Sequence, residues 1–531
     1  MKLISRLFGR SSTSTSPWTE ESIYRFICTH VDPKTGALDS RYLDLPDEPA
    51  KSASTLRWAP GALDGVMGHH GGKDEDSAVS RKIAKALERV AKAGDAHAVA
   101  DAYALLKQDA VLASIDEVIQ FLSKRKVPVH PHLNEFAVRL ATKSADRGPV
   151  KAGIALLGAM KLREHEAMVT TLGSHDEFTL FSATALKNML EEPALALWRL
   201  AKNVDGWGRI QIVERLVPTD NEEIRRWLRT EGFRNSVMYE YLALTAAVHG
   251  RLHAALEEKE VSADELVAAG EIIRSMIAAD DGPGGGLNEY TDAGVACLAY
   301  LTHLRSAIPD LRNLLASRAI LEYVTEDSRG EAERLKCGWS ESVASSVRAC
   351  ANQVIERSEW RALIEQQLDS EDDVAFWVAS RAASENGVDA FQWHWKRAQA
   401  SRRDSSRWHN LMQATSDERI DQVLALAEQS VPLEEIATGA ADEMGLGKDF
   451  ELHSCLDSVL QELRRFPGKG VQFILAGLRS PVVRNRNMAL AALQTWDRRD
   501  WTPDVLPALQ RAADVEMDDR VAERVRELLV G

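Results

Sequence analysis

Apolar residues recur every three or four positions along most of this chain. Ile83, Leu87, Val90 and Ala91 share one helical face, and Val99, Ala102, Tyr103 and Leu106 resume the pattern after a break. Gly94 predicts the stop between them and Asp95 the next cap. From Gly470 the tail reads GVQFILAGLRSPVVRNRNMALAALQTWDRRDWTPDVLPALQRAADVEMDDRVAERVRELLVG. That is a short apolar helix, a Ser-Pro start, a second helix, a Thr-Pro start and two more helices. In Ser480-Pro481 and Thr502-Pro503 the spacing predicts a cap followed by proline at the first helical position. Thr219 with Glu222, Ser262 with Glu265 and Thr415 with Glu418 predict capping boxes. Alternating β-branched runs are nearly absent, so almost no sheet is expected. Helices of roughly 10–17 residues, paired about every 35–45 residues, predict an all-α chain of α-solenoid type, with each repeat packed only on its neighbours.

Residues 1–75 break the pattern. Ser11 to Ser16 is a polar tract expected to form a flexible lead-in, and Thr19 is expected to cap a short helix with Glu20 and Glu21 in its first turn. Residues 32–60 contain Pro33, Gly36, Pro46, Pro49 and Pro60 and are expected to be loop or extended. The stretch LRWAPGALDGVMGHHGGKDED fits neither a regular helix nor a strand. The expected organisation is an N-terminal module over 1–75 and two solenoid halves, 76–280 and 281–531. The Gly-rich loop from Asp281 to Asn288 is the hinge between the halves. It contains no Lys or Arg, and Asp280 and Asp281 would repel a phosphate.

VKAGIALLGAM (150–160) and SPVVRNRNMALAAL (480–493) resemble HEAT and armadillo repeats, in which a Val-Lys or Val-Arg pair opens the inner helix and small apolar residues fill the seam. The resemblance implies a right-handed superhelix of helix pairs and an interaction role. The pairing of LRWAPGALDGVMGHH with VVRNRNMALAAL is similar to bacterial proteins labelled limonene hydroxylase, a likeness that implies an oxygenase.

The net charge of −15 argues against the whole surface being a nucleic-acid or anionic-membrane binder, and leaves room for a local basic patch. The five cysteines (Cys28, Cys297, Cys337, Cys350, Cys455) are widely spaced, so neither a disulfide framework nor a zinc site is indicated and a cytoplasmic location is expected. No apolar run is long enough to span a bilayer.

An oxygenase must activate O2 on haem, flavin or metal. Cys337-Gly338 lacks the residues expected upstream of a haem thiolate. None of the fourteen histidines has Glu three residues before it, as a di-iron bundle requires. His175-x-Glu177 has the spacing of two ligands of a 2-His-1-carboxylate triad. His165-Glu166 is followed by Val169 rather than His. Gly338-Trp-Ser340-Glu-Ser342 lacks the last Gly of a nucleophile elbow. Gly445-Leu-Gly447-Lys448 lacks the spacing of a phosphate loop. No catalytic residue, metal or cofactor is assigned from these.

Two groups remain as binding candidates. His69 and His70, between glycines and near Asp64, Asp74 and Asp76, offer imidazoles to a metal or substrate; the plainer reading is a structural loop. His130-Pro-His132 reads as a turn into a helix. Trp393, Trp395, Lys396, Arg397, Arg402, Arg403, Arg407 and Trp408 interleave aromatic and basic side chains, as contact surfaces for protein or single-stranded nucleic acid do; the plainer reading buries Trp393 and Trp408 and solvates the arginines. The sequence is thus expected to encode a non-enzymatic scaffold with a concave surface for a protein partner. The alternatives are an oxygenase-type enzyme near the His69-His70 stretch and, as a third reading, a nucleic-acid scaffold.

Overall fold

The computed structural model describes residues 17–48, 58–70, 77–108, 111–125, 130–279, 282, 284–326 and 329–530. Among them there are thirty α-helices and no strand, only isolated bridges between Val31 and Leu38 and between Glu443 and Val482. The chain divides into two compact units, with the boundary between Arg357 and Ser358.

In the first unit one row of helices runs through most of the sequence. Ser77–Ala93, Val111–Lys124, Arg147–Ala159, Asp176–Met189, Gly206–Leu216, Glu240–His249, Ala263–Ala278, Leu311–Glu326 and Glu341–Ile355 each pack on the next. Intervening helices form a second layer: Pro131–Lys143 covers Arg147–Ala159, Glu166–Gly173 covers Asp176–Met189, and Ala194–Ala201 covers Gly206–Leu216. Helices close in sequence therefore supply most of the core, through residues such as Leu140, Leu157, Phe178, Leu186, Ile210 and Ile273, all fully buried. Each such side chain contributes about 1.5–3 kcal/mol by leaving water. The small residues of 150–160 have a steric cause. A Cβ on Gly158 would stand 2.6 Å from the Ala185 Cα, so the two neighbouring helices cross closely only because both positions are small.

The stretch at 282–288 lies within this unit. Gly284 presses against the Glu240 carbonyl oxygen, which a Cβ would approach to 1.9 Å, and the Gly286 amide donates to Glu289. The expected hinge is thus a packed turn where it is described; Asp280, Asp281 and Pro283 lie outside the described residues.

In the second unit Ser405–Gln413 packs on Glu451–Leu463, which packs on Val483–Thr495, which packs on Asp519–Val530. Trp408, Leu460, Phe473 and Leu490 anchor its core.

Several local signals hold. Gly94 adopts φ +61°, the Asp95 carboxylate accepts from the Ala98 amide, His130 caps Pro131–Lys143 with proline in its first turn, and Ser262 with Glu265 closes a capping box. Others move. Ser22, not Thr19, caps Ile23–His30. Asn221, not Thr219, caps the next predicted start, its side-chain oxygen accepting from Glu223 and Ile224. The Thr415 hydroxyl donates backwards to Leu411 O, and that helix begins at Ile420. The helices expected at Pro481 and Pro503 begin at Val483 and Val505. At the first two starts one of several nearby cap-competent residues takes the role, whereas Arg419, Val482 and Asp504, which precede the last three, make no side-chain cap bond.

Candidate functional site

The N-terminal segment meets the row at three neighbouring helices, Arg147–Ala159, Asp176–Met189 and Gly206–Leu216. Pro60 and Gly61 make a turn, with Gly61 at φ +70°, and Ala62–His70 is helical, so this part of the stretch expected to be irregular is a short helix, while 56–57 and 71–76 lie outside the described residues. Asp64, in its first turn, is buried and accepts a hydrogen bond from Lys151 Nζ at 2.6 Å. The same ammonium lies 2.6 Å from Glu177 Oε1. Glu177 Oε2 accepts the Gly61 amide at 2.9 Å. Arg147, one turn before Lys151, pairs with Asp47 at 3.1 Å, with Glu48, and with Glu177 at 3.7 Å.

Two carboxylates share one lysine, and their ionisation differs. Burial pushes the Asp64 carboxyl up, with Lys151 opposing it. Burial also works against ionised Glu177, but Lys151, the Gly61 amide and Arg147 outweigh it and hold that carboxyl below its usual range. His175 caps the Asp176–Met189 helix through Nδ1, its Nε2 lies 3.2 Å from Leu43 O, and burial pulls its pKa down to about 4. With both ring nitrogens so engaged, His175 and Glu177 do not form an open ligand pair. Burial, and then the charge of Asp205, pushes Asp176 up to about 7. Glycines permit this contact. A Cβ on Gly65 would stand 2.2 Å from the Trp207 ring, and one on Gly208 would stand 2.5 Å from Asp176 Oδ1.

The side chains of His69 and His70, and all of Asp74 and Asp76, lie outside the described residues. Among the described residues no group of three or more His, Cys, Asp or Glu is placed to hold a metal. Of the residues that join the N-terminal segment to the row, Arg147 and Lys151 were not singled out from the sequence, and Glu177 was weighed only as a metal ligand beside His175. Their one signal is Lys151, a lone charge inside the apolar run VKAGIALLGAM.

On the same unit, four helices of the row line a groove of about 610 Å³. Ile115 and Ile119, Ala155 and Gly158, Leu180 and Phe181 are its apolar lining, while Asp116, Gln120, Asn188 and Arg215 give it polar groups.

The other candidates lie in the second unit. Trp408 is fully buried and its indole N–H donates to Arg402 O at 2.8 Å. Trp393 donates to Asp369 at 2.8 Å, and Trp395 stacks on Phe391 at the edge of the core. Arg397 and Arg407 both reach Asp373 at 2.6 Å, whereas Arg402, Arg403 and Lys396 are exposed. The interleaved stretch therefore separates into one buried ring, Trp408, two half-buried rings, Trp393 and Trp395, two arginines committed to one aspartate, and a small exposed basic group. The tail motif is also structural. Arg486 pairs with Glu516 at 2.8 Å, both side chains 1% exposed, and donates to the Ala441, Ser480 and Pro481 carbonyls. Asn485 links His453 and Asp457.

No helix among the described residues is long and apolar enough to cross a membrane. No family model, curated protein or solved structure matches the chain.

Proposed function

We infer that the protein is a non-enzymatic interaction scaffold, a HEAT/armadillo-like α-solenoid that docks a protein partner along the 115–215 groove. The supporting observation is the groove itself, to which four consecutive helices of one row each contribute side chains. A stack of helices that repeats its exposed face builds an extended binding surface without a dedicated loop. An apolar lining among polar groups suits a partner's apolar anchor side chains.

The N-terminal segment serves as a cap on the early helices, since an end helix without one leaves an apolar face exposed. Its carboxylates and lysine are spent on each other. Lys396, Arg402 and Arg403 form too small a basic patch to track a phosphate backbone, so the nucleic-acid reading is the weaker one. The five cysteines are all free thiols, which suits a reducing cytoplasm.

The test is to fill the groove. Ala155→Trp places an indole between the row helices, one turn after Lys151 on the same helix. The expected result is loss of the protein that co-purifies from the native host, with thermal unfolding shifted by no more than about 4 °C. Retention of the same protein at full yield overturns the assignment of the groove.

A further inference from the structure

The Ser77–Ala93 helix carries a charge pattern of its own. Its sequence SAVSRKIAKALERVAKA holds Arg81, Lys82, Lys85, Arg89 and Lys92 against a single acid, Glu88, in a chain of net charge −15. Lys82, Lys85, Arg89 and Lys92 follow at steps of three, four and three, so they form one stripe, turned away from buried Ile83, Leu87 and Val90. At 1.5 Å per residue the stripe is about 15 Å long. It borders a trough of about 580 Å³ that Leu105 and Arg125 also line. Glu88 is already neutralised inside it, 2.7 Å from Lys92 and 2.7 Å from Arg125. Arg89 leans to Asp101 at 3.1 Å, and Lys82 and Lys85 have no ion-pair partner among the described residues.

We propose that this trough docks an acidic amphipathic helix of a partner protein, about three turns long. Carboxylates at steps of three, four and three on such a helix meet the stripe in register, and an apolar side chain between them seats on Leu105. The lysine and arginine stems supply further apolar contact beneath their charges. A helix fits this surface better than a nucleic acid does. Among the described residues no aromatic ring lines the trough to stack a base. A long polyanion would also extend past the stripe over a chain whose net charge is −15. This surface is separate from the 115–215 groove and stands whether or not that groove binds a partner.

The experiment is fluorescence anisotropy on the full chain. The probe is a labelled synthetic helix of about 15 residues with glutamates at those steps and leucines between them. The expected result is saturable binding that weakens with added salt and falls about tenfold or more in Lys82→Glu/Lys85→Glu. Lys187→Glu, an exposed change on the Asp176–Met189 helix, is expected to leave binding unchanged. Both stripe residues are exposed, so circular dichroism is expected to report an intact fold for the double variant. Absence of binding, or equal binding by the double variant, overturns the proposal. Tighter binding of a single-stranded oligonucleotide at the same lysines also overturns it and makes the trough a phosphate-backbone surface.

Discussion

Lys151 Nζ stands 2.6 Å from Glu177 on the next helix of its row and 2.6 Å from Asp64 on the helix that the N-terminal segment supplies. One ammonium thus ties three helices together, and its side chain is 10% exposed. Removing one partner of a buried ion cluster leaves the others charged and desolvated. Lys151→Met is therefore expected to destabilise the first unit by about 3 kcal/mol, read as a lower urea midpoint. Hydrogen exchange in Ala62–His70 is expected to rise with it.

Gly65 tests the same junction by shape instead of charge. With the Trp207 ring 2.2 Å from where a Cβ would sit, Gly65→Ala forces the short helix away from the row. The expected cost is about 1–3 kcal/mol. Amide exchange should quicken through 62–70 while Ala263–Ala278 stays protected.

The junction carries a pH dependence through Asp176, raised from 3.8 to about 7 by burial and then by Asp205. The folded state holds a proton that the unfolded chain releases near pH 4. The contribution of this group is therefore fully present below about pH 4 and is lost as pH rises to about 7. Asp176→Asn keeps a neutral side chain at every pH. Urea midpoints of the parent are expected to fall relative to those of the variant between about pH 4 and about pH 7.

His394 in the second unit runs the other way. Burial, then Arg397 and Arg407, pull its pKa from 6.5 down to about 4, and its Nε2 lies 2.9 Å from Ser380 Oγ. A base with a depressed pKa contributes stability above the unfolded value and loses it as pH falls through the folded one. His394→Gln keeps a polar partner for Ser380 but takes up no proton. The parent, relative to this variant, is expected to lose stability between about pH 6.5 and about pH 4, measured by urea unfolding at each pH.

The helices were legible because their apolar faces are local. Ile83, Leu87 and Val90 announce a helix without knowledge of what covers them, and Ser262 with Glu265 or His130 with Pro131 need only their own turn. Exact starts were less legible where Thr219, Asp220 and Asn221 all offer a cap oxygen, since packing chooses among them. The junction was not legible, because Asp64, Lys151 and Glu177 are distant in sequence and meet only once the row is built. Val150-Lys151 reads as a repeat motif, while the lysine's role depends on two carboxylates from other elements. In 391–410 the reverse held. A run that looks like one basic aromatic surface is divided by folding, with Trp408 in the core and Arg397 and Arg407 on Asp373.

Arg486 and Glu516 give a further test of buried charge. Arg486→Met leaves Glu516 enclosed and unpaired, with a loss of about 3–5 kcal/mol expected in the second unit. Changing both, Arg486→Met with Glu516→Leu, is expected to recover much of that loss, since the unpaired charge is gone. Equal losses for the single and the double variant would show that the bonds from Arg486 to the carbonyls of Ala441, Ser480 and Pro481 matter more than the ion pair.

The most direct measurement of the scaffold account is photocross-linking in the native host from a reactive amino acid placed at Asn188, on the groove, and at Lys202, outside it. The account predicts one discrete protein adduct from position 188, absent from position 202 and lost when Ala155→Trp fills the groove. No adduct from position 188, or the same adduct from both positions, would contradict it.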